Sequence, residues 1–387
     1  MKIILYGVPV FILIIVAVFF FILPKFADRR LNRVANRPFV VPSQNAVELY
    51  KKLWIADLHC DALLWQRDLT QKHNHGHVDI PRLIENNVAL QVFTVVTSVP
   101  WGINFEQNED KNNMVTTISI AQRCPMTTWT SLRKRALFQG RKLHEHEKKA
   151  GGRFMIIKSK SDLRNYNKRR KSEQEIAAGL LGIEGAQALD GEAGTIITFF
   201  EEGFRLLGLA HFCDNEIAGS EQGIQKGGLT EKGKAVIKLM DPLGMVIDLA
   251  HASQKTVDDV LDIATKPVMV SHTGVQGTCM SSRNLSDAQI ERVAKKGGIV
   301  GITYFEEALG EMSIDAVVSA IKYVCDLVGV EHVALGSDWD GAIEAALDTT
   351  GLIDLTDALL KAGFSGSEIA LVMGGNVQRV LLEILPE

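Results

Sequence analysis

From Trp54 onward, short and nearly continuous apolar runs alternate with stretches whose apolar positions recur every three to four residues. The runs are Trp54–His59, Leu90–Val96, Gly179–Glu184, Arg205–Ala210, Met245–Ala250, Val268–Ser271, Gly298–Thr303 and Val333–Gly336. Apolar continuity of this kind marks strands buried on both faces, which is the habit of parallel sheets. The intervening stretches, such as Gln254–Thr265, Asp287–Lys296 and Ser313–Leu327, carry helical periodicity. Eight strand–helix units predict an α/β fold, a (β/α)8 TIM-like barrel, with a helical tail from about Asp354.

Two segments break the alternation. Between the second and third runs lies a basic insertion at about residues 101–177, containing "SLRKRALFQGRKLHEHEKKAGGR" and "RNYNKRRKSEQE". It predicts long solvated helices and a minor strand at Arg153–Lys158, with His144 and His146 on the surface. The tract "HNHGH", with His73, His75 and His77, predicts a solvated loop.

The N-terminus is different again. Ile3–Leu23 is 21 residues without a charge. As a helix it spans about 31 Å, close to a hydrocarbon core of about 30 Å. Residues 1–24 therefore predict a single-pass membrane anchor, and 25–45 a basic linker to a barrel at 46–387. Lys25, Arg29, Arg30, Arg33 and Arg37 follow the span and point to a cytoplasmic body. N-terminal anchors, however, also serve exported domains, so the side stays open.

Composition narrows the class without naming it. Of 387 residues, 46% are hydrophobic and 23% charged, which excludes disorder, and the net charge of -4 speaks against nucleic-acid binding. Five cysteines without CxxC spacing suggest neither a disulfide framework nor a zinc knuckle.

The chemistry lies where the runs end. The first run leads into His59 and Asp61, the third ends in Glu184, the fourth leads to His211 and the fifth to His251. The sixth leads to His272, and the eighth to Asp338 and Asp340. Each has a bland alternative as a helix cap or a hydrogen-bonded core residue. Together they place imidazoles and carboxylates on the C-terminal rim, where barrels carry their sites. So many ionisable groups are costly to bury unless paired or bound to cations, and the set suits two divalent metals.

The motifs "DLHCD", "GHVDIPRL", "GIEGAQAL", "RLLGLAHFCDN", "GMVIDLAHAS", "PVMVSHTG…SSRNL", "HVALGSDWDGA" and "MGGNVQRVL" resemble, in order, those of the membrane dipeptidases, a zinc peptidase family. The resemblance covers about residues 50–385. It implies two Zn2+ per chain, with His59 and Asp61 on one, His251 and His272 on the other, and Glu184 bridging. It further implies that His211 and Arg283 bind substrate, that Asp338 is the catalytic acid/base and binds substrate, and that Asp340 supports it. The implied reaction is hydrolysis of a dipeptide by a two-metal-bound hydroxide, in a possible homodimer. The alternative is a related amidohydrolase acting on lactams, acylated amino acids or cyclic amides, although Glu rather than Lys at 184 argues against those that bridge their metals with a carboxylated lysine. The tail "LLEILPE" is too short for the signal of a lipid anchor.

Overall fold

Eight strands close into a parallel barrel in a computed structural model that describes residues 11–36, 40–173 and 175–387. They are β1 (Ile55–Asp57), β2 (Val88–Val96), β3 (Ala177–Glu184), β4 (Phe204–Gly208), β5 (Val246–Asp248), β6 (Met269–Thr273), β7 (Ile299–Ile302) and β8 (Val333–Leu335). Each pairs with its sequence neighbours, and β8 returns to β1 through Leu335 and Asp57. All eight runs named above hold strands. A short extra strand, Phe154–Ile156, pairs in parallel with the start of β3, at Ala177–Gly179.

Alternation along the strands sorts the apolar residues into two cores. Ala56, Leu90, Val92, Leu180, Leu206, Val246, Met269, Ile299 and Ala334 share one cluster with Val377, Val380, Leu381 and Ile384 of the last helix. That set fills the barrel and plugs one end with the helix Asn376–Ile384. The opposite parity, including Ile55, Val95, Leu181, Ile183, Leu207, Val300 and Leu335, packs under the surrounding helices. The period of two makes this division unavoidable.

On β3 the filling-side positions run Ala178, Leu180, Gly182, Glu184, so the alternation delivers a carboxylate to the rim. On β5 and β6 the same parity gives Val246 then Asp248, and Met269 then Ser271. The pairing of β6 with β7 shifts register between Val270 and Thr273. Irregularities of this kind re-aim side chains, and here one lies at His272.

The insertion differs from the expected solvated helices. Helix Leu132–Lys149 buries Arg135, Gln139, Leu143 and His146, a spacing that lies along one face. Gln139 closes the end of β2 by accepting from Val96 N at 3.2 Å and donating to Val96 O at 2.7 Å. The buried Arg135 guanidinium donates to the carbonyls of Thr97, Thr128 and Trp129. The charges on this helix hid a polar but buried seam. His146 is accordingly buried, while His144 stays partly exposed.

The first eight residues of the span Ile3–Leu23 lie outside the described residues. From Phe11 the helix runs to Leu31, long and apolar enough to cross a membrane and largely unburied. It therefore extends into the segment expected as a linker. Arg33–Val34 then pairs in parallel with Glu344–Ala345 after β8, and helix Gln44–Tyr50 follows.

Candidate active site

The rim residues converge. Glu184 sits at the centre: its Oε1 lies 3.5 Å from His59 Nε2, 3.4 Å from His251 Nε2 and 3.6 Å from His272 Nε2. Its Oε2 lies 3.4 Å from His211 Nε2. His59 Nε2 is also 3.4 Å from Asp61 Oδ1 and 3.8 Å from Asp338 Oδ1. Among the described residues, three donor sets have the spacing to hold a cation: His59–Glu184–His272, Glu184–His211–His251 and His59–Asp61–Asp338. Every sequence-expected rim residue except Asp340 is in this cluster.

Outer hydrogen bonds orient the rings. His211 Nδ1 faces the Ser98 carbonyl at 3.2 Å, an acceptor only, so Nδ1 carries the proton. His251 Nδ1 faces Gln222 Oε1 at 3.0 Å. Ser271 gives its hydroxyl proton to Asp248 at 2.6 Å and so accepts from His272 Nδ1 at 2.9 Å. All three rings thus turn a bare Nε2 lone pair inward. His251 Nε2 and His272 Nε2 stand 3.0 Å apart, two acceptors facing each other beside a carboxylate. Such a contact is repulsive without a shared cation, and outer acceptors of this kind are typical of metal-binding histidines. Glu184 Oε2 is buried and has no hydrogen-bond donor among the described residues.

The electrostatics agree. Burial opposes charge on His59, but Glu184, Asp61 and Asp338 push its pKa up to about 10. Burial pushes His211 down to about 3 and His251 and His272 well below the ordinary imidazole value. Burial and the neighbouring Asp61 push Glu184 well up. Burial likewise lifts Asp338 to about 7, against the pull of His59. A compact group of carboxylates that holds a proton on one imidazole has an affinity for positive charge that divalent cations satisfy.

Backbone strain concentrates here. His251 (φ 61°), Asp338 (φ 60°) and Asp340 (φ 62°) lie in the left-handed region. Each such residue costs roughly 1–3 kcal/mol and persists where the surroundings fix it. Beside the cluster opens a cavity of about 390 Å³, walled by Trp65, Val99, Phe105, Met114 and Phe212 and by the buried Arg283. Arg283 Nη2 donates to the His272 carbonyl at 2.7 Å, which fixes the guanidinium at the cavity edge. Asp340 faces away from the cluster: Arg67 Nη2 is 2.7 Å from its Oδ1, and His77 N donates to that oxygen at 2.8 Å. Burial works against its charge, yet Arg67 and His77 hold its pKa below the usual carboxylate range.

His77 is a correction. It is fully buried, donating its N–H to Asp340 and placing Nε2 2.8 Å from the Arg33 carbonyl, while His73 and His75 are half-buried. Asp248, Ser271, Gln222, Thr94 and Arg67 were not singled out by the sequence. Asp248, Ser271 and Thr94, whose hydroxyl donates to Asp61 Oδ1 at 2.6 Å, interrupt apolar runs, which is a signal; Gln222 and Arg67 leave none.

Fold and site together define a (β/α)8 barrel that gathers a metal-type donor set at its C-terminal rim. The chain belongs to the membrane dipeptidase family, peptidase family M19, whose profile matches residues 43–385. It is similar to dipeptidase aclJ of Aspergillus oryzae, 36% identical over 217 residues, covering 54% of this chain and 51% of that protein. It is also similar to dipeptidase tcpJ of Claviceps purpurea, 26% identical over 80% of this chain and 69% of that one. The match thus spans about half the length of the Aspergillus relative. Among solved structures, a metallopeptidase from Rhodobacter sphaeroides, liganded with a phosphinate mimic of the dipeptide L-Ala-D-Ala, superposes with a TM-score of 0.72 at 23% identity, covering 86% of this chain and 99% of that one. The probable dipeptidase PvdM of Pseudomonas aeruginosa gives 0.74 at 18% identity, over 88% and 98%.

Proposed function

We propose that the protein is a metal-dependent dipeptidase binding two zinc ions, anchored to a membrane by its N-terminal helix. The observation that carries this is the set of inward Nε2 lone pairs around Glu184, with His251 and His272 facing at 3.0 Å. His59 and Asp61 would hold one ion, His251 and His272 the other, and Glu184 both. When bound, a zinc pair supplies Lewis acidity and lowers the pKa of coordinated water toward about 7.

The chain's own residues do the rest. Asp338, at the edge of the cluster and partly open to the cavity, takes the proton of the attacking water and passes it to the leaving amine. His211 stands over Glu184 on the cavity side and orients the scissile amide. Arg283 presents a forked cation to a free carboxylate, which favours short peptides with an open C-terminus. Apolar cavity walls exclude water from the reacting carbonyl. The dipeptide-like ligand of the Rhodobacter structure supports the substrate class.

The test is metal analysis of the full chain, with dipeptides, acylated dipeptides and lactams assayed with and without chelator. About two zinc ions per chain and chelator-sensitive cleavage of free dipeptides are expected. Turnover of lactams alone, or activity untouched by complete metal removal, would refute the assignment.

A further inference from the structure

Residues 28–34 lie before the family-matched region, which begins at 43, yet they are bolted to the loop that carries Asp338. On a largely exposed helix, Asp28 is 4% exposed, and Asn32, just past the helix end, is 2% exposed. Asp28 Oδ2 is 3.1 Å from Arg67 Nε, and the other side of that guanidinium meets Asp340 Oδ1 at 2.7 Å. Asn32 Nδ2 donates to Asp28 Oδ1 at 2.8 Å, while its Oδ1 accepts from Ala342 N at 3.0 Å. Arg33 N donates to the Ile343 carbonyl at 3.2 Å, Ala35 N to the Ala345 carbonyl at 2.9 Å, and Arg33 pairs with Glu344. His77 ties the Arg33 carbonyl to the Asp340 backbone N–H.

The clamped loop needs holding. Asp338, Asp340 and Ala342 all have positive φ, at 60°, 62° and 62°. Three strained residues in one short loop persist only where neighbours over-determine them. Between Asp28 and Asn32, Leu31 reaches the cavity itself and forms its rim with Ile343 and Glu344.

We propose that this juxtamembrane segment is part of the active site: Asp28 and Asn32 are positioning residues for the Asp338 loop, and Leu31 is a wall of the substrate cleft. The inference rests on the dipeptidase reading above. Its consequence is that the apolar helix and the catalytic cleft are one mechanical unit, with the cleft opening beside the helix end. Leu31 then selects for substrates with an apolar side chain on that side.

The experiment uses the full chain in detergent micelles. Asp28→Asn and Asn32→Ala should lower kcat by about tenfold to 10²-fold, as loss of positioning does, with KM and bound metal little changed. Leu31→Trp, at a residue 38% exposed and so tolerant of change, should raise KM about tenfold for dipeptides with bulky apolar side chains and much less for Ala-Ala. If Asp28→Asn fails to fold, the Leu31 and Asn32 variants decide. Unchanged kcat and KM, or a kcat loss that merely tracks loss of folded, metal-bound protein, overturns the inference. Asp338→Asn separates the two levels. Retained turnover there sinks the dipeptidase mechanism. An inactive Asp338→Asn beside kinetically normal Asp28, Asn32 and Leu31 variants sinks only this inference.

Discussion

At the scale of single residues, the site is built from lone pairs and their outer partners. Ser98, Gln222 and Ser271 each occupy one nitrogen of a histidine, so the other faces Glu184. Asp61, Glu184 and Asp338 all reach the cavity, and Asp338 is the most open of the three, its side chain 15% exposed against 5% for the other two. Asp338→Asn keeps the shape of the side chain and removes its basicity. Bound metal should stay at the wild-type level while kcat falls by roughly 10²–10⁴-fold, the range general acid–base groups contribute. Metal analysis beside steady-state kinetics checks both halves. The rim set His59, Asp61, Glu184, His211, His251 and His272 was legible because ionisable residues recur where apolar runs stop. Arg67 and Asp28 were not legible: an ion pair between residues 39 positions apart has no sequence signature.

At the scale of elements, the strands aim the chemistry and set how closely they can approach. Gly336, just after β8, would place a Cβ 1.9 Å from the carbonyl of Ser271 on β6. That is backbone, so the strand rather than a side chain must move. Gly336→Ala should destabilise by about 2–3 kcal/mol, as overpacking does. Because β6 carries both Ser271 and His272, bound metal should fall as well. Denaturant midpoint and metal content report the two effects. A variant that is destabilised yet fully metallated would show the site to be insulated from this contact. The insertion helix teaches a related lesson. Arg135 and Gln139 read as solvent-facing by charge and polarity, but their hydrogen bonds terminate β2 and the turn after it.

At the scale of the whole molecule, the insertion, the first barrel loop and the N-terminal helix pack together. His146 sits buried with Nδ1 3.4 Å from Asp68, and neither ring nitrogen is hydrogen-bonded among the described residues. Burial, with Lys142 and Lys149 nearby, pushes its pKa down to about 4, while Asp68 and Glu145 pull the other way. In the unfolded chain the value returns to about 6.5. The unfolded state therefore binds the extra proton between those values, and stability falls as pH drops from about 6.5 to about 4. His146→Gln removes this titration. Its melting temperature should fall less than wild type between pH 7 and pH 4.5, measured by scanning fluorimetry. An equal fall in both proteins would show that His146 does not contribute.

The sequence by itself determined the barrel, since apolar runs with intervening helical periodicity admit few parallel arrangements, and it determined the identity of the rim residues. Those signals are local: period, run length and residue type. Only the tertiary structure decided which acceptors turn each imidazole inward, that Asp340 faces Arg67 rather than the cluster, and that the helix end at Asp28–Val34 grips the Asp338 loop. Those facts depend on distances between segments far apart in the chain, where strand closure and burial, not neighbouring residues, set the partners.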